Sequence, residues 1–582
     1  MKHRVVLCMV GAFSMVGILL ALLQQPAHGE EMTAPNFPLC VNMTGVGGCY
    51  TSIQQAINAS PPEGGGVISV DTGTYNEHIY IDRNLQLLGK GWDYSVINGN
   101  YSGPTTTVGI KWTIDSSTVI SGFKITGGGT GITSTSTNYG GGISMFSASP
   151  HIINTWIDGC TAANGGGVYV SGGSPVFENV PVWNSKASQK GGGFYLQDQA
   201  NVTIIGDPFI ALHPFQGTIG TIWSNKADWE GGGIYMNNVT ATLIGLRIWW
   251  NVAGMYGGGI YIENTHHPLS IAGNLIWWNG AKTIGNAGGG IYTNNVEGLD
   301  LFQNDISQNI APGSGGGAVF GSTSGNVHWN RFMQNRTSGN SAYAAGVKMW
   351  GSQTVINFNN NWMEGNMSTK SGGALYIDDE AAPRIDSNVI ISNSIGSGSG
   401  AGVLFQDAGE VYMVNNIIAR NTITTFYGTG SGVANFSSPV KFINNTVAHN
   451  FDGGIYIMDA LDSVVRNNII AFNQGVGLEA DAVLTYILDA NFNDVYGNNT
   501  DRAFIPVGGN DISYNPKFMM TGNMFDYYHV EPGSPVADLG SRDWAPTYDI
   551  DGLFRGAKIW MGVNEYGQQF SLFLPVILKS LP

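Results

Sequence analysis

Apolar residues in this chain come in short runs. From about residue 140 onward, clusters of Ile, Val, Tyr and Phe alternate with Gly, Asn and Ser. That pattern predicts short strands separated by tight turns rather than helices. The clusters also recur. Segment 231–264, "GGGIYMNNVTATLIGLRIWWNVAGMYGGGIYIEN", opens with five letters that return 26 residues later. "GGGI" or a degraded form stands at 140, 165, 191, 231, 257, 288, 315, 344, 372, 400, 430, 452 and 475, with most intervals between 22 and 31. The gap from 191 to 231 is longer, and "GDPFIALHPFQG" (206–217) reads as an insertion there. A second signal, "NxIxxN" and its variants, keeps the same period, as in "NLIWWN" (274–279), "NDISQN" (304–309), "NVIISN" (388–393) and "NIIARN" (416–421).

A repeat of about 28 residues predicts a solenoid in which each repeat is one turn of about three strands, stacked roughly 4.8 Å apart. Equivalent residues then become vertical neighbours. Glycines at a tight corner supply φ > 0 and let adjacent coils approach. The final Asn of each motif is expected to face inward as an amide ladder, with Ile and Val filling the lumen. A leucine-rich repeat needs LxxLxLxxN, which no repeat carries, and propeller blades are about 40 residues or longer.

The flanks narrow the choice. "CYTSIQQAINASPPEGGGVISVDTGTYNEHIYIDRNLQLLGKG" (49–91) is similar to an opening in which an amphipathic helix precedes a "GTYxExIxI" strand pair. "GNDISYNPKF" (509–518), "YHVEPGSPVADLG" (528–540) and "DIDGLFRGAKIWMGVNEYG" (549–567) resemble the closing segment of surface-exported members of the same group. With the repeats between, the chain resembles the right-handed parallel β-helix, or pectin-lyase-like, superfamily of secreted bacterial proteins over roughly residues 40–568. The resemblance implies an all-β, single-stranded right-handed parallel β-helix of about 15 coils with a short N-terminal capping helix. It implies little about activity, because that superfamily spans lyases, hydrolases, epimerases and adhesins. The expected layout is a signal peptide (1–29), an N-terminal cap with the first coils (30–100), the repeats (101–500), a closing segment (501–568) and an apolar tail (569–582).

Composition agrees with a stacked, turn-rich chain. Gly numbers 84 of 582 residues and only 11% are charged, where about 25% is usual. A hydrophobic share of 43% excludes a disordered low-complexity chain. The formal net charge of -16 argues against a nucleic-acid partner. Lys2 and Arg4, the apolar run Val5 to Leu23 and the small-residue site Ala27-His28-Gly29 read as a secretory signal peptide. The run is also just long enough for an uncleaved anchor, and no later segment is long enough to span a membrane. Cys8 leaves with the signal, Cys40 and Cys49 are expected to form a disulfide, and Cys160 is left as a buried free thiol. There is no zinc-type Cys or His cluster.

Candidate chemistry follows from stacking. The motifs that the family resemblance would lead one to seek in an enzyme, a GHG with RxK or an RxPxxR, are absent. Acids and amides do recur after the glycine unit, and Asp378, Asp379 and Asp407 fall in adjacent coils, about one strand spacing apart. Carboxylates that close repel unless a cation, a shared proton or solvent intervenes, and calcium fits such oxygen ligands. Lys348, one coil earlier, and Arg384 are the cations placed to serve as a lyase base. The alternative is a solvated turn, where Asp and Asn are favoured. "VWN" (182–184), "IWSN" (222–225) and two copies of "WWN" (249–251, 277–279) bring tryptophans to four consecutive coils. If the Asn faces inward, alternation turns the residue before it outward. Trp183, Trp250 and Trp278 would then form a file on the surface, with Trp223, Trp249 and Trp277 inside. Exposed rings at coil spacing suit the apolar faces of sugars; alternatively the insertion, with Phe209, His213 and Phe215, folds over them. Asp549 and Asp551 read as turn residues with Arg555 pairing locally, and His449 as an outward residue without a role.

The expected function is therefore a secreted or cell-surface, monomeric, non-catalytic scaffold that contacts a polysaccharide or cell-surface glycan through Trp183, Trp250 and Trp278. The alternative is a polysaccharide lyase or glycoside hydrolase with Asp378, Asp379, Asp407 and Lys348 as its site, and calcium on the three aspartates.

Overall fold

Residues 231–256 form one turn of the chain and explain the rest. Gly231 lies at φ 65°, in the left-handed region. A Cβ on Gly232 would meet the carbonyl oxygen of Gly258 at 2.4 Å, and one on Gly233 that of Gly259 at 2.6 Å. The first glycine thus turns the corner, and the other two let the next coil's backbone close in. Strands Ile234–Asn237, Thr240–Ile244, Arg247–Trp249 and Val252–Ala253 follow. The turn has four strands where about three were expected; the extra one is a two-residue piece between the ladder asparagine and the next glycine corner. Ile234, Met236, Ala241, Leu243, Leu246 and Ile248 fill the lumen.

The computed structural model describes residues 39–99, 105–129, 138–207, 220–282, 285, 287–425, 428–459, 462–481, 489–519 and 526–565. The signal peptide, most of the 206–217 insertion and the apolar tail lie outside these. Among the described residues, parallel strands assemble into sheets of 31, 16 and 10 strands. Coils stack in register, with Ile234 opposite Ile260 and Trp249 opposite Trp277. The largest sheet merges two faces, because Ile291–Phe302 and Ala318–His328 run straight through the corner between them. The 16-stranded sheet takes one strand per coil, giving an all-β parallel solenoid of about 15 turns, as the repeat pattern implied.

Two asparagine ladders run through the interior. In one, eleven asparagines from Asn225 to Asn498 each donate from Nδ2 to Oδ1 of the next, at 2.8–3.1 Å. In the other, nine from Asn274 to Asn493 do the same at 2.9–3.1 Å. Asn335 shows the pattern. Its Nδ2 donates to the Ile306 carbonyl and to Asn366, and its Oδ1 accepts from the backbone N–H and the amide of Asn309. Two donors and two lone pairs are all engaged, so burial leaves nothing unpaired.

The ends are closed differently. Helix Ile53–Ala59 covers the first coils with Ile53, Ala56 and Ile57. Glu77 accepts from the Ser52 hydroxyl and from the backbone N–H of Ile53 and Gln54 at 2.6–3.0 Å, a carboxylate placed at the positive helix end. Cys40 and Cys49 form a disulfide beside it, and Cys160 is buried. At the other end, Phe518, Tyr528, Val530, Val536, Ile550, Met561 and Val563 pack on the outer face of the 16-stranded sheet, over Val389, Ile391, Ile417, Ala419, Ala448, Ile469 and Ala471. Arg555 latches this segment. It pairs with Glu565 at 3.4 Å and reaches Asn415, 140 residues away, at 2.9 Å. The local pairing that the sequence suggested is thus joined by a partner distant in sequence. Asp549 Oδ1 accepts from the N–H groups of Asp551 and Leu553, as a turn residue does.

Two outcomes follow. Asn335→Ala strips the acceptor from two buried Asn309 donors and should lower stability by about 2–5 kcal/mol. The exposed neighbour Arg336→Ala should change it by less than about 0.5 kcal/mol, both read from urea midpoints. Asp494 is buried under the closing segment, where desolvation and then nearby Asp501 raise its pKa to about 7. The folded state then holds a proton that the unfolded state has lost between about pH 4 and pH 7, so stability falls as pH rises through that window. Asp494→Asn should flatten this fall in midpoints measured from pH 5 to pH 8.

Candidate functional site

The tryptophans occupy the outer face of the 16-stranded sheet and the corner beside it. Trp183, Trp223, Trp249 and Trp277 are register partners in successive coils. Val182, Ile222, Ile248 and Ile276 hold the lumen side of the same strands. Trp223, Trp249 and Trp277 therefore do not point inward, and Trp183 belongs to their column rather than to that of Trp250 and Trp278. The cause is a left-handed residue before each ladder position. Trp250 and Trp278 lie at φ 53° and 51°, as Asn184 and Ser224 do at the same corner. That turn breaks strand alternation, so two successive side chains face outward. In the "VWN" coil, Asn184 takes the corner and Ser185 the ladder place, its N–H donating to Asn225.

A bulky residue at positive φ is an outlier that surrounding structure must hold in place. The product here is a continuous strip of rings. Centroids lie 5.2 Å apart for Trp183 and Trp223, 6.0 Å for Trp223 and Trp249, 5.5 Å for Trp249 and Trp250, and 5.8 Å for Trp250 and Trp278. Trp156 and Trp92 extend it, at 5.6 Å from Trp183 and 3.6 Å from each other. Trp250 is 50% exposed and Trp278 36%. The indole N–H groups of Trp183, Trp223 and Trp249 are buried without an acceptor among the described residues. Arg247, Trp249, Leu275 and Trp277 line a shallow cleft. Burial lowers the pKa of Arg247.

The acidic candidates separate into two columns. Asp378 sits opposite Gln406, while Asp379 and Asp407 share the exposed left-handed corner at φ 53° and 51°. Lys348 meets Asp378 at 2.9 Å, both largely buried, with its ammonium 5.0 Å from the Tyr376 ring centre. Desolvation raises the Asp378 pKa, against the pull of Lys348. Arg384 pairs with Asp386 at 2.7 Å. Among the described residues, no three His, Cys, Asp or Glu side chains form a group that can hold a metal ion.

A second aromatic column escaped the sequence reading. Tyr169, Tyr195, Tyr235, Tyr261 and Tyr292 stack at 4.6–5.6 Å. Lys190 lies over Tyr235 and pairs with Glu230 and Glu263, each at 3.2 Å. Tyr235 donates to Glu263 as well. Burial pushes Glu230 above its usual range and Tyr169 up to about 12. The fifth letter of "GGGxY" was the available signal. His449, given no role from sequence, packs against Phe472, Phe518 and Tyr528, and burial lowers its pKa.

Residues 232–394 and 345–515 match the family model for the right handed beta helix region. The central repeats are a right-handed β-helix. No curated protein matches the chain. Within this β-helix the strip and the ion pair differ in accessibility: Trp250 and Trp278 are open and Trp183, Trp223, Trp249 and Trp277 partly so, whereas the lysine of the acid–base pair is committed to its carboxylate. No helix of the described residues is long and apolar enough to cross a membrane.

Lys348→Met should cost about 3–5 kcal/mol by leaving Asp378 buried and unpaired. Adding Asp378→Asn should recover most of that loss in urea unfolding, the behaviour of a structural pair.

Proposed function

We propose that this protein is an exported, monomeric β-helix that contacts polysaccharide or cell-surface glycan without turning it over. The observation that carries this reading is the exposed pair Trp250 and Trp278, 5.8 Å apart and continuous with four more outward tryptophans on adjacent coils. Aromatic faces of this extent are unusual on a free monomer surface and suit the apolar faces of sugar rings. Export is supported by the basic, apolar and small-residue order of residues 1–29 and by the Cys40–Cys49 disulfide, which fits an oxidising compartment. The net charge of -16 disfavours nucleic acid.

Lys348 supports a structural role rather than that of a lyase base, because its ammonium is held by Asp378. A glycan array and retention on insoluble polysaccharide, each with and without a chelator, test the proposal. Retention should persist with chelator and fall about tenfold or more in Trp250→Ala and Trp278→Ala, as the loss of one stacking platform implies. Release of unsaturated or reducing-end products, abolished by Asp407→Ala, would overturn it in favour of a lyase or hydrolase.

A further inference from the structure

The tryptophan strip has a direction, a charge character and an internal control, and together these specify its ligand more closely. The inference rests on the carbohydrate reading above.

Direction comes from register. Trp183, Trp223, Trp249 and Trp277 belong to four successive coils, and on the coil before them the exposed Trp92 lies stacked over the buried Trp156, so the long dimension of the strip is the solenoid axis. At about 4.8 Å per coil it covers about 19 Å, the length of roughly four linked pyranose rings. Across the strip it is at most two rings wide, where Trp250 and Trp278 stand beside Trp249 and Trp277.

Charge character comes from the neighbours. Lys124 is paired with Asp158 at 2.7 Å. Lys186 and Lys226, on the flanking short strands, both reach Asp228, at 3.9 and 2.8 Å. Arg247 is 2% exposed. Lys186 and Lys226 are register partners, half-exposed and sharing one carboxylate, so among the described residues these flanking lysines are carboxylate-bound, where a polyanion would need a row of free cations. The indole N–H groups of Trp183, Trp223 and Trp249 are buried, so those three rings offer a ligand stacking rather than a hydrogen bond.

The internal control is the other half of the same face. There the outward columns carry Val389, Ile391, Ile417, Ala419 and Ile469, and polypeptide from the closing segment covers them. On the strands themselves, aliphatic side chains make most of the surface that seats protein, with Trp362 at its edge and Phe472 and His449 at the corner. In the N-terminal half the column of Ile391 and Ala419 carries Trp183, Trp223, Trp249 and Trp277 instead, while that of Val389 and Ile417 carries Thr221, Arg247 and Leu275.

We infer that the strip binds a neutral polysaccharide chain laid parallel to the solenoid axis, contacting about four consecutive sugars by stacking. The test titrates the full-length protein with neutral β-1,4-linked gluco-oligosaccharides of two to six units and with a hexagalacturonate, reading tryptophan fluorescence. Affinity should rise at least tenfold from two units to about five and then level off, with the hexagalacturonate at least tenfold weaker than the neutral hexamer. Trp183→Ala should remove the gain from the longer ligands while sparing the disaccharide, and circular dichroism checks that the variant is folded. Length-independent affinity, or preference for the acidic ligand, would overturn the axial neutral-chain inference and leave carbohydrate contact standing. Absence of binding to every glycan, on the array as well, would overturn both. Concentration-dependent dimerisation lost in Trp250→Ala would assign the strip to a second copy of this chain and likewise overturn both.

Discussion

Registered stacking of buried amides is the constraint on which this molecule rests. A buried asparagine is costly unless both donors and its carbonyl are engaged, and here the backbone and the equivalent asparagine of the neighbouring coils together engage them. The ladders therefore do more than add bonds. They forbid slippage, because a shift by one residue would bury unpaired amides in every coil at once. Hydrophobic filling of the lumen supplies the driving force, but it would tolerate other alignments of Ile and Val. The amides select one.

Once register is fixed, the surface inherits order from the interior. Tryptophans on separate turns become a strip, and tyrosines after the glycine corners become a second stack. The same corner column that carries Trp250 and Trp278 carries Arg420, His449 and Phe472 further along, where Tyr528 and Phe518 pack on them. One geometric position thus serves two ends: anchoring the chain's own closing segment, and presenting rings outward.

The fold was legible because its signals repeat. Glycine triplets, "NxIxxN" and the period between them led to the parallel coil, the interior ladder and the coil number. The second ladder was equally visible as the first Asn of each motif, yet nothing local says that both asparagines turn inward. The tryptophan error has a definite physical source. Alternation is a rule for continuous strands, and Trp250 and Trp278 are not in one; their left-handed backbone is a feature expected of Gly or Asn rather than Trp. Pairing across coils was likewise hidden. Lys348 was placed one coil from Asp378, but that its ammonium would be taken up by that carboxylate depends on side-chain direction. Asp378 and Asp379, adjacent in sequence, fall into different columns because a corner separates them.

Both ladders stop at aspartates. Asn498 donates to Asp501 and Asn493 to Asp511, whose second oxygen is held by Arg502 and the Gly508 N–H. A carboxyl side chain has no amide N–H with which to pass the ladder on. A chain of amides is a template that a further coil, from this molecule or another, can extend indefinitely, which is the geometry of fibril growth. Ending each ladder on an acceptor closes that template: beyond Asp501 and Asp511 no ladder amide is left for a further coil to pair with among the described residues.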